Sequence, residues 1–238
     1  MRSKRARLDR FISTHTDINR RDVRSVLARG EIEVDGVKAT DINQAIDEFT
    51  HVKLNGLILQ AKTPRYLMMN KPIGVVSATK DHKHKTAIDL LENENTEDLH
   101  IVGRLDFNSS GLLLLTNNGR WSRQLSSPDN KISKLYRVTL ENPISSAYVQ
   151  AFAKGMYFEY ENITTKPARL EIINSHTANI SLIEGRYHQI KRMFGRFQNR
   201  VVTLHRIAVG NLTIDSELAP GKSRELTEFE VKSIIESS

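Results

Sequence analysis

The chain contains no cysteine, which removes disulfides, thiolate metal sites, iron–sulfur ligation and cysteine nucleophiles together. Any chemistry it performs uses oxygen or nitrogen groups. Only 12 glycines and 6 prolines occur in 238 residues, too few for a collagen-like or low-complexity chain. No apolar run approaches the roughly 20 residues of a membrane-spanning helix. The N-terminus is basic but has neither the apolar stretch nor the small-residue cleavage site of a secretory signal, so cytoplasmic residence is the expectation. Internal repeats are absent as well. What is present is enough apolar material, 39% of residues, to fill a sizeable core in one large domain or two modest ones.

Charge is unevenly placed. Lys plus Arg number 35 against 28 acidic residues, a net charge of +7. Residues 1–29 hold nine Arg or Lys and three Asp, and residues 186–206 hold six Arg or Lys and no acid, so each stretch carries +6. The remainder of the chain is therefore acidic, at −5. Two separated basic stretches on an otherwise acidic chain fit a partner with a phosphate backbone gripped in two places. Either one alone reads equally well as solvated surface.

Leu8, Phe11 and Ile12 recur at helical spacing. Asn19 and Asp22 then resemble a capping box opening a second helix through Val23, Val26 and Leu27 to Gly30. Arg20, Arg21 and Arg24 lie off the apolar stripe of this helical hairpin. Ile32 and Val34 alternate with acids before Asp35-Gly36, a strong tight-turn signal, and Val37 starts the return strand. This αα-β unit runs to about Gly56, and the stretch from Gln60 to Pro64 reads as a linker, placing the domains at 1–59 and 60–238. Beyond it, Tyr66–Met69, Leu112–Thr116, Leu135–Leu140, Leu170–Ile173 and Ile180–Ile183 read as strands. Helical periodicity returns at Ile144–Phe152 and at Ile190, Met193, Phe194 and Phe197. A last amphipathic segment comes after Thr227, with Phe229, Val231 and Ile234 as its apolar positions, and Asn118-Gly119 reads as a turn. The sum is an α+β architecture on a largely antiparallel sheet.

The most informative stretch is GRLDFNSSGLLLLTNNG, Gly103 to Gly119. Here Asp106 precedes a wholly apolar strand and leads into a small polar loop closed by Gly111. A carboxylate held there can act as nucleophile, general base or metal ligand. The same placement also suits an ordinary loop acid that caps a turn or pairs with Arg104, and spacing alone does not separate these readings. Lys191 sits at the border of the apolar stripe formed by Ile190, Met193, Phe194 and Phe197, a position from which a side chain reaches a cleft. His82 and His84 in KDHKHKT could suggest a metal site, but no acidic or histidine partner at ligand spacing completes the set, so none is expected.

The Gly-Arg-Leu-Asp and Gly-Leu-Leu-Leu frame of that stretch closely resembles the catalytic-aspartate motif of pseudouridine synthases, specifically the RsuA-like family. Three further blocks agree in order: PRYLMMNKPIGVVS (Pro64–Ser77), KLYRVTL (Lys134–Leu140) and EGRYHQIKRMFG (Glu184–Gly195). RLDRFISTHTDINRRDVRSVLARGEIEVDGVKA (Arg7–Ala39) resembles the S4 RNA-binding domain, so the likeness covers essentially the whole chain. The resemblance implies a small S4-like RNA-binding domain preceding a pseudouridine synthase catalytic domain on a mainly antiparallel mixed sheet. TTKPARLEII (Thr164–Ile173) and LAPGKSRELTEFE (Leu218–Glu230) look most like the branch that acts on small-subunit (16S) ribosomal RNA, at uridine 516 in its standard numbering. Two departures are visible: Ser109 stands where many relatives have Thr, and Lys191 where other pseudouridine synthases often carry Arg.

Carried over by motif, Asp106 is the catalytic carboxylate, acting on the sugar or base or removing a ribose proton. Tyr136 stacks on an extruded uracil, and Lys191 supplies the opposite charge beside Asp106. Arg104, Lys71, Arg186, His188 and Gln189 shape the pocket or grip the RNA, and Arg20, Arg21 and Arg24 contact RNA from the N-terminal unit. No cofactor is implied. The implied partner is 16S ribosomal RNA or a small-subunit assembly intermediate, with no membrane and a monomeric protein. The alternatives are a synthase acting on large-subunit (23S) RNA and a noncatalytic S4-type RNA-binding or ribosome-assembly factor.

Overall fold

In the computed structural model, which describes residues 5–92 and 95–234, the chain divides after Pro64 into two units, Met1–Pro64 and Arg65–Ser238. Arg2 and Lys4 of the N-terminal basic stretch lie outside the described residues.

In the first unit, β1 (Ala6–Arg7) leads into α1 (Leu8–His15), which buries Leu8, Phe11 and Ile12 as their spacing predicts. The second helix, α2 (Val23–Ala28), is shorter than expected and buries Val23 and Val26. The capping box does not form. The Asp22 amide donates to the Asn19 carbonyl at 2.8 Å, so 19–22 close a turn and Arg20 and Arg21 precede the helix rather than riding on it. After α2 come β2 (Ile32–Val34), β3 (Val37–Lys38), β4 (Ala45–Ile46), β5 (Val52–Leu54) and β6 (Leu57–Gln60). Asp35 and Gly36 join β2 to β3 with φ of +51° and +81°, both positive as a type I′ hairpin turn demands. The sheet order is β3-β2-β5-β6, all antiparallel, while β1 pairs with β4.

Two sequence expectations change here. Gln60, read as the start of the linker, instead ends β6, and its side-chain amide donates to the carbonyls of Asp47 and Thr50, both at 2.7 Å. Arg20 is not a free surface cation. Its Nε donates to Oδ2 of buried Asp9 at 2.9 Å. Burial pushes the Asp9 carboxyl up, but hydrogen bonds from Arg20, the Arg10 amide and Arg7 outweigh it and leave the carboxyl below its ordinary value. Arg21 and Arg24 are exposed.

The second unit runs β7 (Tyr66–Lys71), β8 (His100–Val102), β9 (Ser110–Thr116), α3 (Gly119–Ser126), β10 (Lys134–Leu140), α4 (Ser146–Lys154), β11 (Tyr157–Phe158), β12 (Ile163–Thr164), β13 (Arg169–Ile172), β14 (Thr177–Leu182), α5 (Gln189–Gly195), β15 (Val201–Val209), β16 (Leu212–Thr213), β17 (Ser223–Glu225) and α6 (Glu228–Ser233). Its main sheet has the order β13-β14-β10-β15-β9-β7-β17, with β8 added to β9 and β16 to β15. Every pairing is antiparallel except β9 with β15, a mixed and mainly antiparallel sheet as expected. The Leu112–Leu115 run is continuous because both faces of β9 are covered. Leu113 and Leu115 enter the core with Tyr148 and Phe152 of α4 and Ile190, Met193 and Phe194 of α5, while Leu112 and Leu114 pack with Trp121 and Leu125 of α3.

Three local expectations fail. Asn118-Gly119 is no hairpin turn: the Asn118 side chain accepts from the amides of Arg120 and Trp121 at 3.0 and 3.1 Å and caps α3. Phe229 faces solvent at 79% exposure while Ile234 is buried with Val231 packed beside it, because residues 231 and 234 share a helical face that residue 229, two positions from 231, does not. The strand β15 lies partly within the stretch read as basic surface. Its inward positions Leu204, Arg206 and Ala208 include a cation that masks the alternation. No helix among the described residues is long and apolar enough to cross a membrane.

Candidate active site

Asp106 lies on the connection between β8 and β9, and this connection is pinned from below by two buried cations. Lys71, at the end of β7, is wholly buried and donates from Nζ to the carbonyls of Ser109 (2.8 Å), Pro72 (3.0 Å) and Asp106 (3.1 Å). Arg206 of β15 donates from Nε to the carbonyl of Leu112 at 2.7 Å and from Nη2 to that of Gly103 at 2.8 Å. Both ends and the middle of the loop are thereby fixed by charge-assisted hydrogen bonds. Gly111 closes the loop where the parallel pairing of β9 and β15 begins, opposite Arg206.

Above this floor the pocket wall includes Arg104, Leu105, Asp106, Ser109, Tyr136 and Lys191. Lys191, on α5, donates to Asp106 Oδ2 at 3.0 Å, and His188 Nε2 stands 3.5 Å from the same oxygen. Among the described residues Oδ1 has no hydrogen-bond partner. Tyr136 arrives from β10, buried, with the Arg206 guanidinium 6.0 Å from its ring centre. Sheet and helix thus bring Asp106, Tyr136 and Lys191 from three distant stretches of sequence to one hollow.

The remaining expected residues divide. Arg104 is exposed on the pocket wall and makes no ion pair among the described residues, so the alternative of a pair with Asp106 is not realised. Arg186 and Gln189 both bind the buried Glu184, through Arg186 Nε at 3.2 Å and Gln189 Nε2 at 2.6 Å. Gln189 Oε1 also accepts the Arg186 amide at 3.1 Å, which fixes the turn into α5. His188 occupies the left-handed region, φ +50°, at the start of that helix. Lys71, expected to shape the pocket or grip RNA, touches neither solvent nor the pocket wall and instead carries the Asp106 loop. His84 lies 3.4 Å from Asp81 and packs edge-on against Phe107, and no cluster of three or more metal-ligating residues occurs among the described residues.

Burial, reinforced by the nearby Arg206 charge and opposed by Asp106, lowers the Lys71 pKa to about 8. The sign of the consequence is fixed. An ammonium that holds its proton to about 10.4 when unfolded loses it earlier in the fold, so above pH 8 the unfolded state binds the extra proton and stability rises with pH. Unfolding free energy measured in urea between pH 8 and 10.5 is expected to climb more steeply for the native chain than for Lys71→Met. Equal slopes would contradict this account of the loop's support.

Residues 65–195 match the family model described as RNA pseudouridylate synthase. A relative from Pseudomonas aeruginosa named ribosomal small subunit pseudouridine synthase A is 46% identical over 229 residues, which is 96% of this chain and 100% of that protein. Relatives of the same name from Vibrio cholerae and Escherichia coli K12 are 41% and 38% identical, each over 96% of this chain and 99% and 100% of their own. A crystal structure described as pseudouridylate synthase superposes with a TM-score of 0.70 at 34% identity, covering 96% of this chain and 99% of the other.

The chain belongs to the RNA pseudouridylate synthase family.

Sequence reasoning about this synthase missed Arg206 and Glu184. Each is buried, and each organises residues that the motifs did identify. A buried charge inside an apolar or basic stretch is the signal available for them. For Glu184 it was readable as the one acid beside a basic run, and for Arg206 it was hidden by that run.

Proposed function

We propose that the protein isomerises uridine to pseudouridine in small-subunit (16S) ribosomal RNA, at uridine 516, with Asp106 as the catalytic carboxylate. The observation that carries this reading is the placement of Asp106 Oδ2 3.0 Å from Lys191 Nζ on a pocket wall shared with Tyr136. The target is supported by the names of relatives that match over their whole length.

In the reaction the bond from uracil N1 to ribose C1′ breaks, the base turns, a bond from C5 to C1′ forms, the C5 proton leaves and N1 takes up a proton, so product and substrate are isomers. Electrons balance within the substrate, so no redox cofactor is required. The target nucleotide must leave its stack, at a cost of a few kcal/mol, which contacts from Arg104, Arg186 and His188 at the pocket offset. Lys191 holds one carboxylate oxygen, leaving Oδ1 for the sugar or base. Tyr136 offers a ring face to the uracil, and its hydroxyl assists removal of the C5 proton. The protein acts in the cytoplasm as a monomer on the RNA or on an assembling small subunit.

The N-terminal unit serves in this reading as an S4-like RNA-binding domain through exposed Arg21 and Arg24. Changing both to Gln is expected to lower the salt slope of RNA binding by about 1.5 and to leave the single-turnover rate at saturating RNA unchanged. An unchanged slope in filter binding would count against the role. Arg20→Gln should differ, reducing thermal stability because it strips a partner from buried Asp9.

The reading is tested by mapping pseudouridine in both ribosomal RNAs from a strain without the gene. Loss at uridine 516, restored by the native gene and not by Asp106→Asn, supports it. Loss confined to 23S RNA would move the target, and no loss anywhere would overturn the activity.

A further inference from the structure

Three residues beyond Asp106, the Ser109 hydroxyl is the buried side-chain polar atom left without a hydrogen-bond partner among the described residues. The residue is 1% exposed. Its backbone is fully committed: the amide donates to the Asp106 carbonyl at 3.0 Å and the carbonyl accepts from Lys71 Nζ at 2.8 Å. Ser109 is therefore held in one place on the pocket wall beside Asp106 and Tyr136. A buried, unpaired hydroxyl costs free energy that alanine would spare the fold. Such a group persists where a ligand completes it.

We propose that Ser109 Oγ hydrogen-bonds the ribose 2′-hydroxyl of the extruded nucleotide. The inference rests on the functional reading above. Ser109 and Asp106 share one tight turn, closed by that amide-to-carbonyl bond, and both line the same pocket, so a small turn of the Ser109 side chain is all that brings its hydroxyl to a nucleoside held against the carboxylate. The uracil face belongs to Tyr136, which comes from a different element, β10. That leaves the sugar for Ser109. Two hydroxyls each donate and accept, so the pair is satisfied in either direction, and the 2′-hydroxyl is the group by which a protein distinguishes RNA from DNA. Ser109 would thus be a substrate-binding residue that makes the pocket selective for a ribonucleotide.

The test is a two-by-two binding cycle in the full chain carrying Asp106→Asn, so that no turnover occurs. Small-subunit RNA with either a 2′-hydroxyl or a 2′-deoxy target nucleotide is titrated against proteins with and without Ser109→Ala. The deoxy change is expected to weaken binding about fivefold when Ser109 is present and not at all when alanine replaces it. Ser109→Ala in the RNA-free protein is expected to leave the melting temperature unchanged or raise it, which a structural hydroxyl would not do. Equal losses from the deoxy change in both proteins, or a melting temperature several degrees lower, overturn the contact. Tritium release from C5-labelled RNA by the unaltered protein is measured alongside. Release together with equal losses strikes this contact alone, whereas no release strikes both the contact and the functional reading.

Discussion

Asp106→Asn is expected to reduce uridine isomerisation by about a thousandfold or more while the protein still folds and binds RNA. The size comes from the role. A group that acts on the reacting atoms is not replaced by a neutral amide of the same shape, and loss of such a group costs 10²–10⁴-fold or more. The preserved fold comes from the surroundings. The Asp106 side chain is 28% exposed and its ion pair is with a Lys191 that is 29% exposed, so removing the charge costs at most about 1 kcal/mol. The loop itself is held through backbone carbonyls by Lys71 and Arg206, contacts that the substitution does not touch. Single-turnover tritium release, urea melting and filter binding on the same preparation separate these effects. A variant retaining a tenth of native activity would contradict the assignment of Asp106, and one that fails to fold would contradict the assignment of loop support to the backbone.

Gly111→Ala is expected to destabilise the second unit by about 4 kcal/mol or more, a range reached when strain and overpacking combine. Gly111 has φ +103°, which an alanine adopts only with strain, and a Cβ built there lies 2.7 Å from the Arg206 amide nitrogen and closer still to its carbonyl oxygen. Backbone cannot swing aside as a side chain can. The clash also falls at the two-residue register, Ser110 with His205 and Gly111 with Arg206, that joins β9 to β15 in parallel. Parting those strands would remove Arg206 from Gly103 and Leu112 and free the Asp106 loop, so activity should fall with stability. Gly195 provides the control, since a Cβ there meets nothing within 4 Å and alanine should be neutral or mildly stabilising. A Gly111→Ala melting temperature within two degrees of native would contradict this packing.

The legible parts of the fold were those whose signal is local. Leu8, Phe11 and Ile12 define a buried helical stripe, Asp35-Gly36 carries its own backbone preference, and the Leu112–Leu115 run, closed off by Gly111 and by Asn117-Asn118-Gly119, fits a strand covered on both faces. Asn118-Gly119 shows the limit of such signals, because the same pair closes a hairpin or caps a helix depending on the residues C-terminal to it. Here Trp121 and Leu125, four residues apart and both buried, decide for the helix. The site was legible in a different way. Spacing left Asp106 undecided between a loop acid and a catalyst, and only the ordered motifs set it apart. Lys71 and Arg206 were misread or missed because their partners, the adjacent Pro72 apart, are carbonyls 35 to 103 residues away in sequence, a pairing created by strand order that no local pattern encodes. Ser109 drew notice as a departure in its motif, but that its hydroxyl is unpaired is a fact of three dimensions.

The central claim, that a uridine of small-subunit ribosomal RNA is rearranged at Asp106, is tested most directly by incubating the purified chain with 16S and 23S transcripts labelled with tritium at uracil C5. The account predicts release of a single equivalent from the 16S transcript, none from the 23S transcript, and none from either with Asp106→Asn. No release by the native protein, or equal release by the native and Asp106→Asn proteins, would contradict it.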